Sequence, residues 1–132
     1  MNKHFISPPS LAKPIGYSHV AVVSGGRQIY LAGQVAFNAA GELVGQGSLG
    51  LQAEQVYANL SAGLAAAGAK LGDVFKLVTY VVNLTPEKAA EVREVRRKYL
   101  GEGPFPASTM VGVTALVHPE LLIEIEVIAA ID

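Results

Sequence analysis

Residues 73–84 read DVFKLVTYVVNL, a β-branched run with apolar side chains on both alternating faces. Successive side chains of a strand point to opposite faces of its sheet, so a strand of this kind is covered on both sides. Helical patterns flank it. From about Leu51 to Ala67, Val56, Leu60 and Leu64 recur at helical spacing, with Ala53 and Ala67 beside them and Gly68 as a C-terminal stop. Downstream, TPEK opens a second helix: Thr85 can cap, Pro86 suits the first helical position, and Glu87 favours the positive end of the helix dipole. Val92, Val95 and Tyr99 form its buried stripe, and Gly101 ends it.

Upstream, HVAVVSGGRQIYLAGQVAF holds two strand-like runs separated by Ser24, Gly25 and Gly26, a hairpin signal. Gly41, Gly45, Gly47 and Gly50 mark a flexible loop. Strands near 107–116 and 121–131 close the chain around a turn at His118-Pro119. The predicted order is β-β-α-β-α-β-β, an α+β fold. Right-handed βαβ crossovers put both helices on one face of one mixed sheet and leave the other face bare.

That bare face decides how composition is read. A chain of 132 residues is expected to form one domain. Only 16% of its residues are charged, where about 25% is typical, and 51% are apolar. Too few charges exist to coat an isolated sphere, so the bare sheet face is expected to pack on other copies in a homo-oligomer. Ten basic and eleven acidic residues give a net charge of −1, which predicts no field for nucleic acid or an anionic membrane. No cysteine is present, which removes disulfides and thiol chemistry and fits a cytoplasmic location. The opening MNKHFISPPSLAKP has no apolar signal-like core, and neither secretion nor a membrane span is expected.

Four stretches bear on chemistry. GQGSLG (45–50) matches a dinucleotide glycine pattern but follows too short a strand, so it reads as a loop. REVRRKYL holds Arg93, Arg96, Arg97 and Lys98; with Glu94 four residues before Lys98, it reads as a solvated helix end. His4, His19 and His118 lack metal-ligand spacing, so neither a metal nor a cofactor is expected. LLIEIEVIAA places Glu124 and Glu126 on one strand face, about 7 Å apart. Carboxylates among leucine and isoleucine are costly unless solvated, paired or used. They make either a solvated strand face or a cleft carboxylate able to orient or deprotonate water. Finally, GPFPASTMVGV (103–113) leads through two prolines into a strand whose first polar side chains are Ser108 and Thr109.

PIGYSHV, YLAGQV, KLGDVFK, FPASTMVGV and IEIEVIAA stand in the order and spacing of the RidA family, also called YjgF or the L-PSP endoribonuclease/translation-inhibitor family, and the chain resembles it from about Pro14 to Ile131. The resemblance implies a chorismate-mutase-like α+β fold and a homotrimer with an inner barrel of sheets. Small ligands would sit in clefts between subunits. The implied activity is hydrolysis of reactive enamines and imines, such as 2-aminoacrylate, to a keto acid and ammonia. It carries Glu124 over as the water-orienting carboxylate, Tyr17 as cleft wall, and Gly33 and Gln34 as the loop strand. Thr85 falls near an asparagine position, and Thr109 follows the substrate anchor.

That anchor departs from the pattern. Deaminating members present an arginine where this chain has Ser108, and a common cysteine position is Met110; Ala32 stands where serine is frequent. Serine cannot replace a bidentate guanidinium. The departure implies negligible 2-aminoacrylate deaminase activity, raised by Ser108→Arg, with Arg27 or Lys76 as a replacement cation. Two other readings stand beside a hydrolase of a different imine: a non-catalytic trimer binding a metabolite or partner, and the endoribonuclease or translation inhibitor of the family's older name.

Overall fold

The computed structural model describes residues 1–132. Its elements are β1 (Asn2–Ile6), β2 (Val20–Ser24), β3 (Arg27–Gln34), α1 (Leu49–Ala66), a short 3-10 helix (Leu71–Asp73), β4 (Val74–Val82), α2 (Pro86–Leu100), β5 (Ala107–Val113) and β6 (Ile123–Ile131). Four strands form a mixed sheet in the order β3-β6-β4-β5, with β4 parallel to β5 and antiparallel to β6. Both helices cover one face of it, as the sequence predicts.

The hairpin expectation is corrected. Gly25 and Gly26 do make the turn, with φ of 73° and 71°. However, β2 pairs antiparallel with β1, and β3 pairs antiparallel with β6. An N-terminal strand that the sequence reading omits therefore takes the edge of β2. Lys3 fastens β1 to the rest of the molecule by donating from Nζ to the Ala130 carbonyl (2.9 Å) and the Asp73 carbonyl (3.0 Å).

The helices begin where capping chemistry places them. Ser48 Oγ accepts from the Leu51 amide and Thr85 Oγ1 from the Lys88 amide, each at 3.2 Å. On α1, Val56, Tyr57, Leu60 and Leu64 are wholly buried against Leu77, Ile123, Ile125 and Val127 of the sheet. Burial of each such side chain contributes about 1.5–3 kcal/mol. Gln52, also buried, ties the loop before β6 to α1: its Nε2 donates to the Glu120 carbonyl (2.9 Å), and its Oε1 accepts from the Leu122 amide (2.8 Å).

Register sorts the polar residues. Ser108 pairs with Leu77 and Met110 with Thr79, so both stand on the helix-covered face. Thr109 pairs with Val78, and Tyr80 pairs with both Val111 and Glu124, so these occupy the opposite face. No helix covers that second face. Tyr30, on the same side as Ile128, is 68% exposed.

Candidate active site

The lead-in to β5 is held by the loop that carries Tyr17. The Ser18 amide donates to the Pro106 carbonyl (3.1 Å), Ser18 Oγ donates to the Phe105 carbonyl (2.7 Å), and Ser18 forms a parallel bridge with Ala107. These bonds set Tyr17 beside Ser108. The Tyr17 ring is steadied by an edge-on contact with His19, at 5.2 Å between centroids. With α2 as the far wall, Tyr17, Ser108 and Met110 line a hollow of about 340 Å³ together with Lys13, Ile15, Arg93 and Arg96.

Arg96 corrects the reading of REVRRKYL as a solvated end. Arg93, Arg97 and Lys98 are exposed, but Arg96 is only 7% exposed. The anticipated Glu94–Lys98 pair is also replaced: Glu94 pairs with Arg97 at 3.2 Å, and Lys98 reaches across to Glu54 on α1. Neither Arg93 nor Arg96 joins any ion pair. Arg96 Nη1 donates to Ser108 Oγ in a long bond of 3.5 Å. Burial pulls the Arg96 pKa below its ordinary value; Tyr57 opposes this in part, and the Arg93 charge adds a smaller pull downward. The Tyr57 hydroxyl is itself buried without a hydrogen-bond partner, and its ring stacks on Tyr99 with centroids 5.0 Å apart.

Position 96 did carry a signal: it lies four residues beyond Val92 and three before Tyr99, inside the buried stripe. The cations named from sequence lie elsewhere. Arg27 Nε donates to the Asp132 carbonyl at 3.3 Å, and Lys76 stands with Tyr30, Val78, Glu126 and Ile128 around a separate hollow of about 180 Å³ on the uncovered face.

The remaining expected site residues form a second group. The β3–β6 register shifts between Leu31 and Gln34, and this irregularity brings Gly33 against Glu124. A Cβ on Gly33 would overlap the Glu124 carboxylate where it now stands, so a larger residue there would push that side chain aside. Gln34 Nε2 turns back to the Ala32 carbonyl (3.1 Å). Glu126 accepts from the Tyr80 hydroxyl at 2.6 Å, a bond that raises the tyrosine's pKa. Glu124 has no ion-pair partner. Thr85 is occupied as the cap of α2, and Thr109 is exposed on the Glu124 side of the sheet. The candidate residues thus fall into two groups, on opposite faces of the sheet. No three His, Cys, Asp or Glu side chains cluster in a way that could hold a metal ion. No helix is long and apolar enough to cross a membrane.

An α+β domain with a hydroxyl-and-guanidinium hollow on one face and a glycine-seated carboxylate on the other has clear relatives. Residues 9–131 match the family model Endoribonuclease L-PSP, and the chain belongs to that family, known also as RidA or YjgF. It is 34% identical to a 2-iminobutanoate/2-iminopropanoate deaminase of Dermatophagoides farinae, over 98% of each chain. Its fold matches the crystal structure of a conserved Rid-family protein, YyfB of Yersinia pestis, described as of unknown function; the TM-score is 0.90, with 46% identity over 99% of this chain and 100% of that one. RidA of the Antarctic bacterium Psychrobacter sp. is similar too, at TM-score 0.71 and 35% identity over 91% and 92% of the two chains.

Proposed function

We propose that this protein is a hydrolase of reactive imines or enamines. It would act as a homotrimer in the cytoplasm, with the Tyr17–Ser108 half-site of one copy facing the Gly33–Glu124 half-site of the next. The observation that carries the reading is the near-full-length similarity to an imine deaminase. Two features of this chain support it: Glu124 is an unpaired carboxylate seated against Gly33, and the uncovered sheet face exposes the apolar side chains of Tyr30 and Val111.

In the proposed reaction Glu124 orients a water molecule and takes its proton as the oxygen attacks the C=N carbon. That proton passes to nitrogen to give a carbinolamine; the new hydroxyl's proton then follows it to nitrogen by way of Glu124, and the C–N bond breaks as the C=O forms, releasing ammonia and a carbonyl compound. Tyr17 closes the cleft wall, Gly33 and Gln34 shape the opposite side, and Ser108 and Thr109 flank the substrate. Nothing in this sequence of events calls for a cofactor.

The test is ammonia release from imines generated in situ by an amino-acid oxidase, with 2-aminoacrylate from a dehydratase as a further substrate. The wild type should accelerate hydrolysis of at least one imine above the uncatalysed rate. Glu124→Gln should slow it by about a hundredfold, within the usual range for a lost general base, while melting temperature holds. No acceleration by the folded wild type would contradict the proposal, as would an unaffected Glu124→Gln variant. A second reading, a non-catalytic metabolite-binding trimer, is favoured by one observation: Ser108 stands where deaminating relatives are expected to present arginine. Binding without acceleration would select it. The near-neutral charge gives little support to RNA cleavage.

A further inference from the structure

Glu124 and Glu126 stand two places apart on β6 and share its uncovered face, and both are half-buried. Register sets Tyr80 of β4 directly across from Glu124, and Val78 across from Glu126. The tyrosine therefore has one carboxylate opposite it and the other on the diagonal. Its hydroxyl passes over the opposite one and donates to Glu126 Oε1 at 2.6 Å. Glu124 leans the other way, towards β3, where a Cβ on Gly33 would overlap its carboxylate. Lys76 lines the same hollow as Glu126 but pairs with neither acid. The two carboxylates are thus drawn apart, one to each strand that flanks β6.

Sheet pairing alone does not ask for this bond. A phenylalanine at 80 would offer its strand neighbours the same ring, with no polar group to satisfy on a half-buried face. The hydroxyl matters to the carboxylates. Two free ones close together repel each other and tend to share one proton. In the proposed hydrolysis, the proton that Glu124 takes from water must go on to nitrogen, and a free Glu126 would compete for it. Bonded to the phenol, Glu126 is a poorer acceptor, since one of its oxygens already takes a short, charge-assisted bond. Tyr80 keeps the proton of that bond. The bond to Glu126, then burial, then the charges of Glu126 and Glu124 all raise the tyrosine's pKa.

We infer that Tyr80 is a positioning residue for the carboxylate that activates water. By holding Glu126 on the β4 side, it leaves Glu124 as the single free base beside Gly33. Tyr80 need not touch the substrate, because its effect passes through Glu126. This role rests on the imine-hydrolase reading, and within it Tyr80 decides which of two matched carboxylates does the chemistry.

The experiment is a double-mutant cycle on the full chain, read as kcat and KM for an imine that the wild type hydrolyses. Tyr80→Phe removes one hydroxyl and keeps the ring. It should lower kcat about tenfold and change KM by less than about twofold, because it disturbs the base and not substrate binding. In a Glu126→Gln background the competing base is gone, so adding Tyr80→Phe should cost less than about twofold in kcat. A merely structural tyrosine would lower kcat equally in both backgrounds, in step with melting temperature, and that result would overturn the inference. So would an unchanged kcat in Tyr80→Phe, or a raised KM at constant kcat, which would make Tyr80 a substrate contact. Should Tyr80→Phe fail to fold, Tyr80→Leu, which also lacks the hydroxyl, is compared in the same two backgrounds. Slowing by Glu124→Gln with no effect of Tyr80→Phe would sink this inference and leave the hydrolase reading standing. A wild type that hydrolyses no imine would sink both.

Discussion

Ser108 Oγ lies 3.5 Å from Arg96 Nη1, so an arginine at 108 would bring a second guanidinium into a space that already desolvates one. The sequence alone led to the expectation that Ser108→Arg raises activity. With Arg96 in view, the expectation reverses. Ser108→Arg should lower the melting temperature and give no gain in imine hydrolysis, because a second guanidinium at this half-buried position would repel the buried Arg96. Ser108→Arg combined with Arg96→Ser should recover most of the lost stability. Thermal unfolding and ammonia release on the three variants check this; a stable, more active single variant would show that the two positions do not share one space. The facing of Ser108 was legible in its strand position, because alternate side chains share a face. The role of Arg96 was not, since arginines at a helix end are usually solvated, and position 96 departs from that pattern through its i+4 relation to Val92. Glu124 was legible as a carboxylate on an apolar strand, but the seat that Gly33 makes for it depends on a register shift that no local pattern announces.

Glu54 joins the two helices by accepting from the Tyr99 hydroxyl at 2.7 Å and from Lys98 Nζ. The bond with Lys98, then the one with Tyr99, holds its pKa below the ordinary 4.5. A carboxyl whose folded-state pKa is depressed contributes stability above its unfolded value and loses that contribution as pH falls through the folded value. Melting temperature should therefore decline as pH drops below about 4.5, and Glu54→Gln should start lower at neutral pH and decline less steeply. Parallel wild-type and variant curves would show that the contact contributes nothing to the helix pairing. At this scale both helices were legible to within two residues at their starts, α2 from the chemistry of Thr85 and Pro86 and α1 from the spacing of Val56, Leu60 and Leu64, while the cap of α1, Ser48, went unread. The Gly25-Gly26 turn was legible, but the partners of its two strands were not. Turn chemistry is local, whereas β1 takes β2, and β6 takes β3, from far along the chain. β1 itself, NKHFI, carries too little apolar alternation to be read as a strand without its partner.

The sheet separates the two halves of the candidate site: Ser108 with Arg96 and Tyr17 on the helix-covered side, Glu124 with Gly33 on the other. A single chain cannot bring the Glu124 carboxylate and the guanidinium hollow to one substrate through its own sheet. A symmetric assembly can, by setting one copy's uncovered face against the next copy's edge, and the low charge and exposed apolar residues of that face suit such packing. The bare face was legible from the two-sided β4 sequence and the charge count, while the division of the site across it needed the register of β4, β5 and β6. Complementation between two inactive variants tests the account most directly. Tyr17→Ala and Glu124→Gln, each inactive alone, should regain about a quarter of the wild-type rate of imine hydrolysis when co-refolded in equal amounts, because about one interface in four then joins two intact halves. A co-refolded mixture that assembles fully and yet stays as inactive as its components would contradict a site shared between copies.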